Sequence, residues 1–112
     1  MKLPNARTAT VATEKLTEYL LSENHPVGKS KAEFFRALGF ERERPEELEI
    51  ALLNLAESAE VLEESVTSRG TKYVVDGVVR GRRGAAVVRT VWMIDADSTD
   101  PRFVTAYPAR ER

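Results

Sequence analysis

The sequence predicts an α+β fold in which three N-terminal helices pack on a four-stranded antiparallel sheet connected as a meander. In the first half of the 112-residue chain, apolar residues recur at three-to-four spacing. In the second half, Val- and Tyr-rich runs alternate with turn residues. Helices followed by neighbouring strands are typical of the α+β class. We expect one domain over 1–112, with a lead-in over 1–10, a helical half over 11–60, a sheet over 61–108 and a tail over 109–112.

The helices are predicted from apolar spacing and from capping residues. The first covers Glu14–Ser22, with Leu16, Tyr19 and Leu20 on its apolar face. A Pro- and Gly-containing breaker over 23–29 follows it.

The second helix opens at Ser30, the first residue of a Ser-x-x-Glu capping box that ends at Glu33. It ends before Gly39, which suits a left-handed C′ position. A third helix is expected from Pro45 to about Glu60, because proline favours the first helical turn.

The strands are predicted at Val61–Thr67, Lys72–Arg80, Ala85–Asp95 and Arg102–Tyr107. Gly77 is interpreted as a bulge. In the last strand, strict alternation places Thr105 and Tyr107 on the same face as Phe103.

A two-residue loop at Arg82-Arg83 fixes the register of the central hairpin, because cross-strand partners then have numbers that sum to 165. Asp76 then opposes Arg89 on the more polar face. The more apolar face should meet the helices, and it carries Tyr73, Val75, Val79, Ala86, Val88, Thr90, Trp92 and Ile94.

Composition excludes several classes of protein. The chain has no cysteine and one histidine, so disulfides, thiolate nucleophiles and an all-protein zinc site are not expected. Phosphate-loop, dinucleotide-binding, zinc-protease and nucleophile-elbow motifs are missing from the sequence. We expect no metal and no other cofactor. With no long apolar run and no apolar leader, a cytoplasmic protein without membrane contact is predicted.

The charge is divided unevenly along the chain. Residues 1–64 carry a net charge of −5 and residues 65–112 a net charge of +4, so the overall charge is −1. The basic half can attract an anion such as a nucleic-acid backbone. Alternatively, the charges are a solvated surface on which the two halves attract each other.

Two groups of residues can support chemistry. His25 precedes a helix N-terminus, where Lys29 and Lys31 can hold a phosphate while the imidazole transfers a proton. In the sheet half, aromatic side chains alternate with basic ones, which suits stacking of RNA bases and pairing with phosphates. Candidates there are Lys72, Tyr73, Arg89, Trp92, Arg102, Thr105 and Tyr107. The alternative for Trp92 and Phe103 is packing in the core.

Several stretches together resemble a bacterial domain of unassigned function. It occurs as small stand-alone proteins and at the C-termini of polymorphic toxins and adhesins. The resemblance covers most of the chain. It is carried by Lys15–Leu21, His25–Phe35, Lys72-Tyr73, Thr90–Trp92 and Pro101–Pro108.

The order of helices and strands also resembles the ribonuclease toxins of the barnase, EndoU, colicin and RelE-like group. That resemblance implies metal-independent RNA cleavage, with a small antitoxin or immunity protein as partner. It implies that His25 is an acid–base group and that Lys31 with Arg89 or Arg102 stabilises phosphate charge. Thr105 and Tyr107 would orient the 2′-hydroxyl or the scissile phosphate.

Two alternatives remain open from the sequence. The chain can be a non-catalytic interaction module, antitoxin-like or homodimeric, that uses a sheet face or an edge strand. It can also bind RNA without cleaving it, which predicts a steep salt dependence.

Overall fold

The computed structural model describes residues 1–22 and 29–109, without the side chains of residues 29 and 30. After a 3₁₀ turn over Ala6–Thr8, helix α1 begins as an α-helix over Thr13–Lys15 and continues as a π-helix over Leu16–Leu20. Helix α2 covers Lys29–Ala37 and helix α3 covers Pro45–Ser58.

The strands follow the helices and form one antiparallel sheet. They are β1 (Val61–Thr67), β2 (Gly70–Arg80), β3 (Ala85–Asp95) and β4 (Arg102–Pro108). Their order in the sheet is β1-β2-β3-β4, with every neighbouring pair antiparallel. The predicted α+β class, with helices preceding a four-stranded meander, is therefore confirmed.

The predicted register of the central hairpin is also confirmed. Tyr73 lies opposite Trp92, and Asp76 lies opposite Arg89. The Asp76 carboxylate accepts two hydrogen bonds of 2.9 Å from Arg89. Because side chains alternate between faces along a strand, this register also fixes which residues meet the helices.

The face of the sheet that covers the core is the apolar face predicted from the sequence. At its centre the Trp92 ring packs edge-to-face on Phe103, with ring centroids 5.4 Å apart. Trp92 Nε1 donates a hydrogen bond of 2.8 Å to Thr90 Oγ1, and Thr90 Oγ1 donates one of 2.7 Å to the Val75 carbonyl. Both polar groups are therefore satisfied inside a buried apolar cluster.

The prediction that Thr105 and Tyr107 share a face with Phe103 is wrong. Trp92 pairs with Phe103, whereas the preceding residue Val91 pairs with Thr105, so β4 contains one extra residue at this point. The bulge reverses the alternation. Thr105 and Tyr107 consequently lie on the face that carries Arg89, opposite the face of Phe103.

The interpretation of Gly77 as a bulge is also wrong. Gly77 pairs with Val88 in an unbroken register between β2 and β3. A Cβ atom at this position would lie 2.7 Å from Leu55 Cγ. The glycine therefore permits close approach of α3 to the sheet.

The ends of the helices follow local signals. Gly39 has φ +101°, as expected for the left-handed residue after α2. Pro45 begins α3, which ends at Ser58. The capping box that opens at Ser30 involves a side chain outside the described part of the chain. Within that part, no helix has the length and apolarity needed to cross a bilayer.

The N-terminal segment runs along the edges of the sheet. Val61 N donates a hydrogen bond of 2.7 Å to the Met1 carbonyl, next to an isolated bridge between Lys2 and Glu60. At the other edge, Thr10 forms a parallel bridge with Arg102. The segment thus pairs with the beginning of β1 and the beginning of β4.

Candidate active site

A lysine and three hydroxyl-bearing side chains converge where α1 and α2 meet β4. Lys31 Nζ donates hydrogen bonds to the Tyr19 hydroxyl and, over 3.1 Å, to Thr105 Oγ1. The Tyr19 and Thr105 oxygens are 3.2 Å apart and share a further hydrogen bond. The Lys31 ammonium also lies 5.7 Å from the centre of the Tyr107 ring. We call Tyr19, Lys31, Thr105 and Tyr107 the Lys31 cluster.

Three local features bring these side chains together. Lys31 lies in the first turn of α2. The bulge in β4 turns Thr105 and Tyr107 away from the Phe103 face. In α1, Leu21 N donates to the Leu16 carbonyl over 2.8 Å, the wide i to i+5 pattern of a π-helix. Single π-helical turns occur frequently at functional sites, and this one carries Tyr19.

Within residues 1–22 and 31–109, the ammonium of Lys31 retains one donor without an acceptor. An ammonium group has three protons, and Tyr19 and Thr105 accept two of them. No other acceptor for Lys31 is found within residues 1–22 and 31–109. The group also lies 4.8 Å from the centre of the Tyr19 ring, so an aromatic face stabilises the charge. A held cation with a remaining donor suits an anionic ligand.

The pKa of Tyr19 is lowered from the ordinary value of 10.0. Burial alone raises this pKa. The hydrogen bonds with Lys31 and Thr105 and the positive charges of Lys31 and Lys15 together outweigh the burial. Lys15 Nζ lies 5.8 Å from the centre of the Tyr19 ring, consistent with its contribution. The cluster therefore lowers the pKa of the Tyr19 phenol below that of an ordinary tyrosine.

Ultraviolet titration of the tyrosines tests this arrangement. The chain has three tyrosines. Tyr19 should ionise at lower pH than the ordinary phenol, and Tyr73 at higher pH, because burial and then Glu64 raise the pKa of Tyr73. The phase at the lowest pH should vanish in Tyr19→Phe and move to higher pH in Lys31→Met. If Tyr19→Phe keeps that phase, the charge arrangement described here is wrong.

Arg89 lies beside the cluster through Tyr107, its cross-strand partner. The pKa of Arg89 is raised, first by its hydrogen bonds with Asp76 and the charge of that carboxylate, and further by Tyr107. The Arg89 side chain is about one-third exposed. Asp76 therefore holds the guanidinium in place next to the Tyr107 hydroxyl.

An open groove of about 660 Å³ adjoins the cluster and shares Tyr19 and Thr105 with it. Its remaining lining consists of Ala12, Glu14, Lys15, Glu18 and Val104. Glu18 forms an ion pair of 3.0 Å with Arg42, which offsets part of the negative charge. The groove combines apolar walls with mixed charges, and two of its lining residues, Tyr19 and Thr105, are the hydrogen-bond partners of Lys31.

The sequence-predicted site is brought together in part. Lys31, Thr105 and Tyr107 meet directly, and Arg89 adjoins them through Tyr107. His25 lies outside the described residues. The backbone of Lys29 begins α2, but its side chain is likewise outside them.

The structure places two predicted base-stacking residues in the interior. Trp92 has no exposed surface, and its ring packs on Phe103. Tyr73 is 6% exposed, and its hydroxyl interacts with Glu64. A stacking residue needs an open ring face. We therefore do not retain Trp92 and Tyr73 among the ligand-binding candidates, because both rings are buried in the core.

Two further predicted residues, Arg102 and Lys72, have no contact with the Lys31 cluster within the described part of the chain. Arg102, at the start of β4, donates hydrogen bonds of 2.7 and 3.0 Å to the carboxylate of Asp95, at the end of β3. Lys72 is exposed on β2, opposite Met93. Neither residue contacts Lys31 or its hydroxyl partners.

Sequence reasoning did not select Tyr19 as a member of the candidate site. Its position on the apolar stripe of the first helix gave it a core interpretation. Only the pairing of α1 with β4 places its hydroxyl against Thr105 and Lys31. The available signal was the presence of Tyr19 in the Lys15–Leu21 stretch that carries the family resemblance.

Comparisons with known proteins identify the family of the chain and a solved structure of similar fold. A search of curated proteins gives no match. A chain of a solved structure titled "Contact-dependent growth inhibition toxin - immunity protein complex from Klebsiella pneumoniae 342" is similar in fold, with a TM-score of 0.68. The two chains are 17% identical, and the match covers 88% of this chain and 98% of that chain.

A family model covers almost the whole sequence. It is described as a domain of unknown function, DUF6883, and it matches residues 2–110. All members of the Lys31 cluster fall inside the matched range. The chain therefore belongs to the DUF6883 family.

Proposed function

We propose that the protein is a toxin-type, metal-independent endoribonuclease whose active site is the Lys31 cluster. The observation that carries this proposal is the convergence of one ammonium with two hydroxyls and the Tyr107 ring beside an open groove. A fixed cation of this kind stabilises charge that develops on a phosphoryl group. The fold similarity to a chain from a toxin–immunity complex supports the biological setting.

The chemistry assigned to the site is transfer of the phosphoryl group within the RNA strand. The 2′-oxygen attacks the adjacent phosphorus, the bond from phosphorus to the 5′-oxygen breaks, and the products end in a 2′,3′-cyclic phosphate and a 5′-hydroxyl. One group must take the proton of the 2′-hydroxyl, and another must give a proton to the departing oxygen. The spare proton of Lys31 binds a non-bridging phosphate oxygen, where negative charge increases.

The proton-transfer roles fall to the groups that surround Lys31. Tyr19, with its lowered pKa, accepts the proton of the 2′-hydroxyl, and Thr105 orients that hydroxyl. Tyr107 positions the phosphate together with Arg89. We retain His25, six residues before Lys31 in the chain, as the proposed donor to the departing oxygen.

A small antitoxin or immunity protein is the proposed partner. A ribonuclease made in the bacterial cytoplasm must be blocked in the producing cell. A partner that covers the groove between α1 and β4 would exclude RNA from Lys31. Such a partner needs no catalytic residues of its own, because covering the open groove is enough to block the substrate.

Cleavage of purified RNA tests the proposed function. Wild-type protein in the presence of a metal chelator should cut total bacterial RNA and leave 2′,3′-cyclic phosphate ends. The Thr105→Val variant keeps the shape of the side chain and removes the hydroxyl, so it should cut more slowly. RNA that stays intact with wild-type protein, or that is cut only when a metal is added, contradicts the proposal.

One observation favours a second function, that of a non-catalytic interaction module. Strand β1 is an edge strand on which Val66 is 79% exposed and Leu62 is 59% exposed. Natural proteins usually protect such edges, because they pair readily with another chain. If the purified protein binds a partner through β1 and leaves RNA intact, this second function replaces the first.

A further inference from the structure

The hairpin between β2 and β3 is seated directly on the end of α2. Arg83 N donates a hydrogen bond of 2.9 Å to the Leu38 carbonyl. A Cβ atom at Gly81 would lie 2.1 Å from that carbonyl oxygen, and one at Gly39 would lie 2.8 Å from Arg83 N. Side chains are excluded at both glycines by backbone atoms. The position of the hairpin relative to α2 is therefore closely fixed.

This contact creates a cleft of about 290 Å³ lined by four arginines, which we call the arginine cleft. They are Arg36 from α2, Arg44 from the residues before α3, and Arg82 and Arg83 from the hairpin. One acidic residue, Glu41, also lines the cleft. Arginines therefore outnumber acidic residues along this concave surface, although the whole chain carries a net charge of −1.

The acidic neighbours of the cleft hold two of these arginines in place. Glu47 accepts hydrogen bonds of 3.1 and 2.6 Å from Arg82, and Glu41 forms an ion pair of 3.3 Å with Arg44. For Arg83, no acidic partner exists among residues 1–22 and 31–109. The surplus positive charge is thus concentrated at a hairpin residue whose backbone is fixed.

We propose that the arginine cleft binds phosphodiester groups of the RNA strand whose cleavage is assigned to the Lys31 cluster. The inference rests on the proposed function, because the substrate class is the same. Guanidinium groups match phosphate oxygens in pairs and stay charged at every physiological pH. Helix α2 links the two places, since it carries Lys31 in its first turn and Arg36 in its last. The cleft supplies affinity for the strand and no base specificity.

Binding of an uncleavable RNA tests the cleft separately from catalysis. The probe is a labelled single-stranded 2′-O-methyl RNA, in which the blocked 2′-oxygen cannot attack phosphorus. Binding is measured by fluorescence anisotropy over a series of salt concentrations. The Arg83→Ala variant should bind more weakly, and the slope of log affinity against log salt should become shallower by about 0.7, the loss of one phosphate contact on a single strand.

Arg69→Ala is the matched control, because Arg69 lies in the β1–β2 turn at the other end of β2 and the substitution removes the same charge. It should leave the slope unchanged. The inference is overturned if wild-type protein does not bind the probe, if Arg83→Ala keeps the wild-type slope, or if both variants lose the same amount. If only Arg83→Ala has a shallower slope and wild-type protein does not cleave RNA, the proposed function is refuted and the phosphate-binding cleft is retained. If wild-type protein cleaves RNA but Arg83→Ala keeps the wild-type slope, the proposed function is retained and the cleft is refuted.

Discussion

Replacement of Lys31 by methionine should reduce the rate of RNA cleavage by about 10²- to 10³-fold. The reason is that Lys31 is the donor aimed at the phosphate, and removal of one such donor typically costs a factor of this size. Methionine keeps a long unbranched side chain in the space between Tyr19 and Thr105 while it removes the charge. The rate is measured on a fluorescent RNA under single-turnover conditions.

Lys2→Met is the control for that experiment. It makes the same chemical change at an exposed residue of the N-terminal segment, next to β1. Its cleavage rate should equal the wild-type rate. Equal rates for Lys31→Met and wild type would show that the cluster is not the active site. Equal losses for both lysine variants would show that only the overall charge matters.

The largest effect on stability is expected for Trp92→Ala. The ring is fully buried and contacts Phe103, so its removal should lower the free energy of unfolding by about 3–5 kcal/mol. Thr90→Val should cost less, about 1–3 kcal/mol, because the indole N–H then loses its acceptor. Urea unfolding followed by circular dichroism measures both values without the fluorescence of the replaced tryptophan.

Val66→Ala is the matched control for these core variants. Val66 is 79% exposed on β1, so its truncation should change the free energy of unfolding by less than about 0.5 kcal/mol. A Trp92→Ala protein as stable as Val66→Ala would contradict the placement of Trp92 in the core. It would then restore the interpretation of this ring as a stacking surface.

Local signals in the sequence were sufficient for most of the fold. The Arg82-Arg83 loop defined the register of β2 and β3, because a two-residue turn leaves one pairing. Gly39 and Pro45 marked the end of α2 and the start of α3. These signals act over a few residues, so they can be interpreted without knowledge of the tertiary packing.

The features that were missed depend on contacts between distant segments. The bulge in β4 has no glycine or proline to mark it, and it moved Thr105 and Tyr107 to the other face. Gly77 was interpreted from its own strand, whereas the reason for it is the approach of Leu55 from α3. Tyr19 joins the Lys31 cluster only through the packing of α1 against β4.

The candidate site was therefore predictable in its residue types and only partly in its membership. The structure places Lys31, Thr105 and Tyr107 together with Arg89 beside them, although the reasoning placed Thr105 and Tyr107 on the wrong face. Basic and aromatic composition cannot distinguish a stacking ring from a core ring. Burial made that distinction for Trp92.

The most direct test of the proposed active site uses a DNA oligonucleotide that contains one ribonucleotide between randomised flanks. Attack by a 2′-hydroxyl predicts one cut per strand, directly after the ribonucleotide, with a 2′,3′-cyclic phosphate on the upstream fragment. The all-DNA oligonucleotide should stay intact, and Lys31→Met should cut the chimeric strand about 10²- to 10³-fold more slowly than wild-type protein. Cleavage of the all-DNA strand, or no cleavage of the chimeric strand by wild-type protein, would contradict the proposed chemistry.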